Sequence, residues 1–253
     1  MNRTADVVIV GAGVIGSATA FELAKRGYKT LNIDKLPASG YGSTSNSCAI
    51  VRAHYSTWDG VAMAYEGFFY WDDWNKYLEV EDERGMAKYM KTGSIMFMLK
   101  GADHSKKSLN LFKEIGVEHE IWDLETLKKK MPIYSHDSYN GTSRPDEDDS
   151  FFDKSGDQIE GAVWTPGSGY VSDPQLATHN LQVATEAKGG EFLFDAEITE
   201  IRQSNGQIQG VTLKSGEQID CKVLVNVAGP HSFIINQMAG VEDDMNIKTK
   251  ALR

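Results

Sequence analysis

The chain has 253 residues, of which 41% are hydrophobic and 25% charged, and its formal net charge is −10. This composition suits one large or two modest globular domains and excludes an intrinsically disordered protein. The acidic balance argues against nucleic acids and anionic membranes as partners, because both bind positively charged surfaces. Two cysteines, no signal-peptide pattern and no apolar run of about 18 residues predict a cytoplasmic protein without a membrane span.

The first three predicted elements are a strand, a helix and a strand. Asp6–Val10 is a short apolar run of the kind that forms a buried strand. Val14–Arg26 has helical periodicity and is followed by Gly27, a residue that favours the end of a helix. Thr30–Ile33 is a second short apolar run. The order predicts a βαβ unit at the start of the chain.

A glycine-rich turn with the sequence GAGVIG occupies residues 11–16, between the first strand and the helix. In such a turn Gly11 permits the tight bend, Gly13 lets backbone amides approach a pyrophosphate, and Gly16 lets the helix pack on the strand. The helix N-terminus adds partial positive charge. Asp34 ends the second strand, where its carboxylate can bind ribose hydroxyls and would repel a 2′-phosphate. These features together predict a dinucleotide site.

The segment after Asp34 favours FAD over NAD as the dinucleotide. An NAD domain would continue directly with further βα units, whereas this chain enters a polar loop, Pro37–Ser47, followed by Ile50–Arg52. A loop rich in hydroxyls and amides suits a ligand that extends beyond its pyrophosphate, as FAD does. An NAD-dependent dehydrogenase remains the alternative.

The rest of the chain carries further helix and strand patterns of ordinary length. Helices are predicted at Val61–Leu78, Ser105–Ile115, Leu124–Lys130 and from Asp173-Pro174 to Gly189, and strands at Thr92–Leu99, Phe192–Ile201, Ile208–Leu213, Val223–Val227 and from Asn246 to Leu252. The aromatic side chains along Val61–Leu78 are interpreted as core packing. The polar segment Tyr134–Asp157, which includes the acidic run Asp146–Asp149, is predicted to be a loop with solvated carboxylates.

Four stretches carry a resemblance to a known family: the turn through Asp34, the loop Gly42–Arg52 leading to Tyr55, Gly116–Pro132 and Val223–Gly240. In them the chain resembles the amino-terminal portion of the D-amino-acid oxidase superfamily of flavoproteins. It is most similar to the branch of sarcosine oxidase (beta subunit) and dimethylglycine dehydrogenase. The resemblance implies an α/β fold, with a Rossmann-like FAD-binding domain and a discontinuous α+β substrate domain that is incomplete at the C-terminus.

The resemblance also implies domain bounds. The FAD-binding domain would comprise residues 1–85 and 158–237, and the substrate domain residues 86–157 and the start of a second part at 238–253. Members of the family continue for well over a hundred residues beyond this length, so we expect a fragment of a longer polypeptide or one part of an assembly. The expected partners are a small amine or amino-acid substrate and the remaining C-terminal part or a partner subunit.

The predicted cofactor site combines the glycine-rich turn with what the resemblance implies. Ser43 to Ser47 would line the FAD diphosphate and flavin, Ile198 would contact the adenine through its backbone, and the segment at Ala228 would approach the FAD where its strand ends. The full predicted set is Gly11, Gly13, Val14, Ile15, Gly16, Asp34, Lys35, Ser43, Thr44, Ser45, Asn46, Ser47, Ile198, Ala228 and Gly229. No metal site is predicted.

Arg52 is the predicted catalytic residue. The resemblance implies that it lies near the flavin, where a guanidinium can bind a substrate carboxylate through two parallel hydrogen bonds. A structural salt bridge with one of the 36 acidic residues is the equal alternative. Monomeric sarcosine oxidases have a basic residue where this chain has Ala49, which leaves the substrate and the oxygen reactivity open.

The function that the resemblance implies is oxidation of a C–N bond in a small amino acid or N-methylated amine, such as sarcosine or dimethylglycine. The flavin would accept the hydride. A non-catalytic subunit that only carries FAD is the second alternative.

Overall fold

The structure is a computed structural model that describes residues 3–100, 103–139, 144, 146–147 and 149–241. The chain divides into two compact units, each built from separate segments. The first unit comprises the described parts of Met1–Ala49, Asp73–Lys88 and Val171–Arg253. The second comprises those of Ile50–Asp72 and Tyr89–Tyr170.

Both units contain helices and short strands. The helices are α1 (Val14–Lys25), α2 (Trp58–Asp72), α3 (Trp74–Leu78), α4 (Asp103–Ile115), α5 (Leu124–Lys130), α6 (Pro174–Ala187), a 3₁₀ turn (Gly229–His231) and α7 (Ser232–Ala239). The strands are β1 (Arg3–Thr4), β2 (Val7–Val10), β3 (Thr30–Ile33), β4 (Ile50–Val51), β5 (Tyr89–Met90), β6 (Ser94–Met98), β7 (Glu120–Asp123), β8 (Asp137–Tyr139), β9 (Lys154–Gln158), β10 (Gly161–Thr165), β11 (Gly169–Val171), β12 (Glu191–Leu193), β13 (Ile198–Ser204), β14 (Gln207–Leu213), β15 (Gln218–Asp220) and β16 (Val223–Asn226).

The first unit is built on a parallel sheet with the strand order β12-β3-β2-β16. All residues of β2 and β3 are buried, which explains why these strands are short, continuous apolar runs without alternation. Helices α1 and α6 pack against each other in this unit. A second sheet, β1-β15-β14-β13, shares a core with the parallel sheet that includes Val8, Leu31, Ile33, Val211 and Ile219.

The second unit contains an antiparallel sheet with the order β6-β10-β7. One of its apolar clusters joins Met96 and Val163 of this sheet to Phe112 of α4 and Phe68 of α2. Trp122 belongs to another cluster, which also contains Leu127 of α5. The sheet therefore buries side chains from both of its faces. Strands β4, β11 and β5 form a smaller sheet in which β11 is central.

Several sequence predictions are confirmed. Thr30–Ile33 and Leu124–Lys130 have the predicted bounds, and β2, α1, β6 and α4 differ from prediction by one or two residues at their ends. Helix α6 begins at the predicted Asp173-Pro174 pair, where Oδ1 of Asp173 caps the helix by accepting the amides of Gln175 and Leu176 at 2.9 Å each. The predicted strand that starts at Asn246 lies outside the described residues.

Three element predictions are wrong in part. Val61–Leu78 is two helices, because Asp73 leaves the helical conformation (φ −108°, ψ 35°) and begins α3. Phe192–Ile201 is two strands of different sheets, separated where Asp195 adopts φ +52°. The segment Tyr134–Asp157, predicted to be a loop, contains strand β8 and most of strand β9, which pair antiparallel. Both strands are largely polar, so the sequence lacks the alternation of apolar and polar residues that indicates a strand.

The compact units differ from the predicted domain bounds. Residues 50–72 and 158–170, which the sequence predicts to be part of the FAD-binding domain, lie in the second unit. Strand β4 pairs there with β11, and α2 packs on α4. Which unit carries which function stays a prediction. The α/β class of the fold is confirmed.

None of the described helices combines the length and the apolar character that crossing a lipid bilayer requires.

Candidate dinucleotide site

The glycine-rich turn leaves the carboxyl end of β2 and enters α1 through two close backbone contacts. A Cβ atom on Gly11 would lie 2.5 Å from the carbonyl oxygen of Val227, and Gly11 also has φ +114°. A Cβ on Gly16 would lie 2.1 Å from the carbonyl oxygen of Gly11. Any side chain at either position would therefore displace backbone, which accounts for glycine at both positions.

Asp34 holds the turn from the end of the neighbouring strand. Its Oδ2 accepts the Ala12 amide at 2.8 Å, and its Oδ1 accepts the Leu36 amide at 2.9 Å. A carboxylate has about four acceptor sites, so each oxygen keeps a lone pair for a further donor. Asp34 therefore shapes the turn and remains able to accept a hydrogen bond from a ligand hydroxyl.

Asn32 is a residue of this site that sequence reasoning missed. Its buried Nδ2 donates to the carbonyl oxygens of Gly11 at 3.2 Å and Gly16 at 3.1 Å, so it joins both ends of the turn to β3. The available signal was an amide in an otherwise apolar strand, since a buried polar side chain needs a partner.

The first turn of α1 presents unpaired amides. Among the described residues, the backbone amides of Gly13, Ile15 and Gly16 donate to no acceptor in the protein. The residue at the N-cap position is Gly13, which has no side chain to cap the helix. The Val14 amide donates to Thr44 Oγ1 at 3.1 Å. Free amides and the positive end of the helix dipole form a site for an anion such as a pyrophosphate.

The polar loop contributes unequally to this turn. Within the described structure, Thr44 is the predicted loop residue whose side chain bonds to the turn. Ser45 Oγ and Asn46 Nδ2 donate to the Gly42 carbonyl at 3.0 and 3.1 Å, and Ser47 Oγ accepts the Ala49 amide at 3.0 Å. These three side chains therefore stabilise the loop itself. Ser43 is exposed.

The later predicted residues lie at two other places in the first unit. Ala228 and Gly229 follow β16, beside the carbonyl that faces Gly11, and Gly229 has φ +58°. Ile198 begins β13 and its side chain is buried in the core, away from solvent. The segment that leads into β13 is bonded to the site through its backbone, because the Ala196 amide donates to the Asp34 carbonyl at 3.0 Å.

Lys35 follows Asp34 and is exposed, and it borders a pocket of about 390 Å³ at the end of β3. The other charged residues of this pocket are Asp195, Glu197, Lys214 and Glu217. Lys214 Nζ bonds to Glu197 Oε2 at 2.7 Å, which lowers the pKa of the Glu197 carboxyl. The pocket therefore carries charges of both signs, and it shows no excess of positive charge for a phosphate.

Arg52 belongs to the second unit, whereas the glycine-rich turn belongs to the first. Its side chain is exposed, Nη1 donates to the His54 carbonyl at 2.9 Å, and the guanidinium lies 5.5 Å from the centre of the Tyr55 ring. Among the described residues, no carboxylate lies within 4.0 Å of this guanidinium. The alternative of a structural salt bridge is therefore not supported within the part of the chain that the structure describes.

The glycine-rich turn fits the diphosphate of a dinucleotide. Three free amides point from the start of α1, and a Cβ on Gly13 would meet Thr44 Oγ1 alone, at 3.3 Å, so the space in front of Gly13 is open. Asp34 can accept ribose hydroxyls through the lone pairs that its contacts with the turn leave free. The residues that would hold FAD in this unit are thus the turn, Asp34 and Thr44.

Comparison with known proteins gives the family. The model of the FAD dependent oxidoreductase (DAO) family matches residues 6–253. The chain is 29% identical over 242 residues to monomeric sarcosine oxidase of Bacillus sp. (strain B-0618), covering 94% of this chain and 55% of that protein. It is 27% identical over 249 residues to sarcosine oxidase subunit beta of Rhodobacter capsulatus, covering 93% and 52%.

Solved structures agree at the level of the fold. L-proline dehydrogenase from P. horikoshii superposes with a TM-score of 0.76 at 23% identity, covering 99% of this chain and 58% of that one.

The chain belongs to the DAO family of FAD-dependent oxidoreductases. The predicted family, fold and cofactor are thereby confirmed, and the NAD alternative is disfavoured. The chain spans just over half the length of each of these three proteins.

Proposed function

We propose that the protein containing this chain oxidises a C–N bond of a small amino acid or N-methylated amine, with FAD as the electron acceptor. Bound FAD would supply the group that accepts a hydride equivalent. The family membership and the names of the sarcosine oxidase relatives support this reaction class. We further propose that the protein works in the cytoplasm, since both cysteines are unpaired thiols.

The observation that supports an amino-acid substrate is the exposure and hydrogen bonding of the Arg52 guanidinium. Its guanidinium is exposed, one of its five N–H donors bonds to the His54 carbonyl, and no carboxylate partner lies within 4.0 Å in the described structure. A guanidinium in this state can bind a carboxylate through two parallel hydrogen bonds. We propose that Arg52 binds the carboxylate of the substrate, which would favour amino acids over simple amines.

The chain's own residues would perform binding and orientation. The free amides of Gly13, Ile15 and Gly16 would bind the pyrophosphate, and Asp34 would accept ribose hydroxyls. We propose that Thr44 holds the start of α1 in position for that contact. The remaining C-terminal part of the polypeptide, or a partner subunit, would complete the substrate site.

The test uses the full-length protein that contains this chain. We expect yellow protein with FAD that denaturation releases, and we expect its absorbance to bleach without oxygen on addition of sarcosine, dimethylglycine, proline or a D-amino acid. Methylamine and dimethylamine, which lack the carboxylate, serve as matched controls. Full FAD content without bleaching by any amine would contradict the proposal and favour a non-catalytic subunit that carries FAD, in keeping with a relative named as a subunit.

A further inference from the structure

We propose that His54 and Thr165 are positioning residues that hold Arg52 in the orientation that binds the substrate carboxylate. They act through the backbone carbonyl of His54. The inference rests on the proposed function, because it takes Arg52 as the group that binds the carboxylate.

The first link joins the guanidinium to the backbone. Arg52 Nη1 donates to the His54 carbonyl oxygen at 2.9 Å. The residue that supplies this carbonyl also carries a buried side chain, since His54 is 6% exposed. The position of the imidazole therefore restricts the direction of the carbonyl, and with it the direction of the guanidinium.

The second link fixes the imidazole. His54 Nε2 lies 2.7 Å from Thr165 Oγ1 at the end of β10, and Thr165 is 1% exposed. The Ser94 hydroxyl of β6 is 3.5 Å from the same nitrogen, and the Phe112 ring of α4 lies against the imidazole with centroids 5.5 Å apart. Three elements of the second unit thus hold one ring.

A parallel arrangement holds the other group that contacts the guanidinium. Tyr55, whose ring lies below Arg52, has its carbonyl bonded by Ser108 Oγ of α4 at 2.9 Å, and Ser108 is fully buried. The two residues that contact the guanidinium, His54 and Tyr55, are therefore each bonded to a buried hydroxyl group, His54 through its imidazole and Tyr55 through its backbone carbonyl. The hydroxyls come from different elements, so the segment from Arg52 to Tyr55 is held at two points.

The polar character of these anchors argues for orientation in addition to packing. Ala53 of this segment belongs to an apolar cluster that also contains Val61, Phe112 and Val163. An aliphatic side chain would fill the same space without the desolvation cost of a buried imidazole. A hydrogen-bonded imidazole adds a defined direction, which an aliphatic group lacks.

The experiment changes the hydroxyl and keeps the shape. Thr165→Val removes Oγ1, and Thr165→Ser retains it. We expect Thr165→Val to weaken binding of acetate, a carboxylate probe followed by the absorbance of the bound flavin, and to raise KM for the reacting amino acid, each by about tenfold. Thr165→Ser should restore both values. FAD content should be unchanged in both variants.

Thr185→Val is the matched control for removal of a buried threonine hydroxyl. Thr185 is also fully buried, and its hydroxyl donates to the Leu181 carbonyl of its own helix at 2.7 Å. This variant should leave acetate binding and KM unchanged. An effect on acetate binding equal to that of Thr165→Val would overturn the positioning role.

A double-mutant cycle distinguishes positioning from a general structural effect. In an Arg52→Gln background, we expect Thr165→Val to cause no further loss of acetate binding, because its effect passes through the guanidinium. A loss that adds to that of Arg52→Gln would overturn the inference. If Arg52→Gln weakens acetate binding and Thr165→Val does not, the inference fails alone. If Arg52→Gln changes neither acetate binding nor bleaching, the proposed role of Arg52 fails with it.

Discussion

The carboxylate of Asp82 lies 2.5 Å from Nδ1 of His179, with 2% of the Asp82 side chain exposed. Asn180 donates from Nδ2 to the same carboxylate oxygen at 2.7 Å, and the Arg84 amide donates to Oδ1 at 2.9 Å. Asn180 Oδ1 in turn accepts the Ala87 amide at 2.9 Å. The network attaches the segment after α3 to α6 within the first unit.

We expect Asp82→Asn to destabilise the first unit by about 2 kcal/mol, because the amide would place a donor or a weaker acceptor against His179 and Asn180. Urea unfolding measures the change in the free energy of unfolding. Glu118→Gln, which converts an exposed carboxylate to its amide, serves as the control and should change stability by less than about 0.5 kcal/mol. Equal effects of the two substitutions would contradict the prediction.

The same carboxylate predicts a pH dependence of stability. Burial alone would raise the pKa of Asp82, but hydrogen bonds from the Arg84 amide, His179 and Asn180 hold this pKa below its ordinary value of 3.8. The unfolded chain binds the proton at the ordinary value, so stability rises with pH between the folded and unfolded pKa values. The contribution of Asp82 is therefore complete above the unfolded pKa and is lost as pH falls through the folded pKa.

This dependence can be measured by urea unfolding of the wild type and Asp82→Asn from about pH 3 to pH 7. The difference between their free energies of unfolding should shrink at the acid end. A difference that stays constant across the range would mean that the charge of Asp82 does not contribute.

Two glycines of the same turn should respond differently to alanine. Gly16→Ala would place Cβ 2.1 Å from the Gly11 carbonyl oxygen, so we expect a loss of about 1–3 kcal/mol in the stability of the protein without cofactor. The Cβ atom introduced by Gly13→Ala would contact Thr44 Oγ1 alone, at 3.3 Å, so the stability of the cofactor-free protein should change little. Its methyl group would occupy the space predicted for the pyrophosphate, and FAD affinity should fall at least about tenfold.

Thermal unfolding of the cofactor-free protein and FAD titration separate these two outcomes. Gly67→Ala in α2 is the control, because a Cβ there meets nothing within 4 Å. If Gly13→Ala bound FAD as tightly as the wild type, the pyrophosphate would not lie against Gly13.

Thr44 should act through its hydroxyl. Thr44→Val removes the acceptor of the Val14 amide, for which we expect a loss of about 1 kcal/mol in stability and faster release of FAD during dialysis. Thr44→Ser keeps the oxygen and should behave as the wild type does. Were Ser and Val to give the same FAD retention, the hydroxyl would have no role in holding the cofactor.

The part of the fold that could be predicted is the part whose signals are local. The turn from Gly11 to Gly16, the apolar strands on either side and Asp34 lie within one short stretch, and each residue type has a direct physical reason there. The break at Asp195 has no local signal strong enough to reveal it, because apolar residues lie close on both sides of it and read as one strand, whereas the backbone passes there from one sheet to the other.

Contacts between distant residues could not be predicted. Thr165 is 111 positions from His54, and no periodicity relates a threonine at the end of one strand to a histidine in a loop. The interleaving of the two units along the chain could not be predicted for the same reason, because β4 pairs with β11, which lies more than a hundred residues later in the sequence. Such pairings depend on tertiary packing, which local patterns do not encode.

The pairing of β2 with β16 has a consequence for synthesis on the ribosome. Val7 is paired with Val223, so β2, an inner strand of the parallel sheet, lacks one neighbour until most of this chain has been translated. Val227, whose carbonyl packs against Gly11, is translated after β16. The glycine-rich turn is therefore complete only after β16 has been translated, so we expect FAD loading to follow that point.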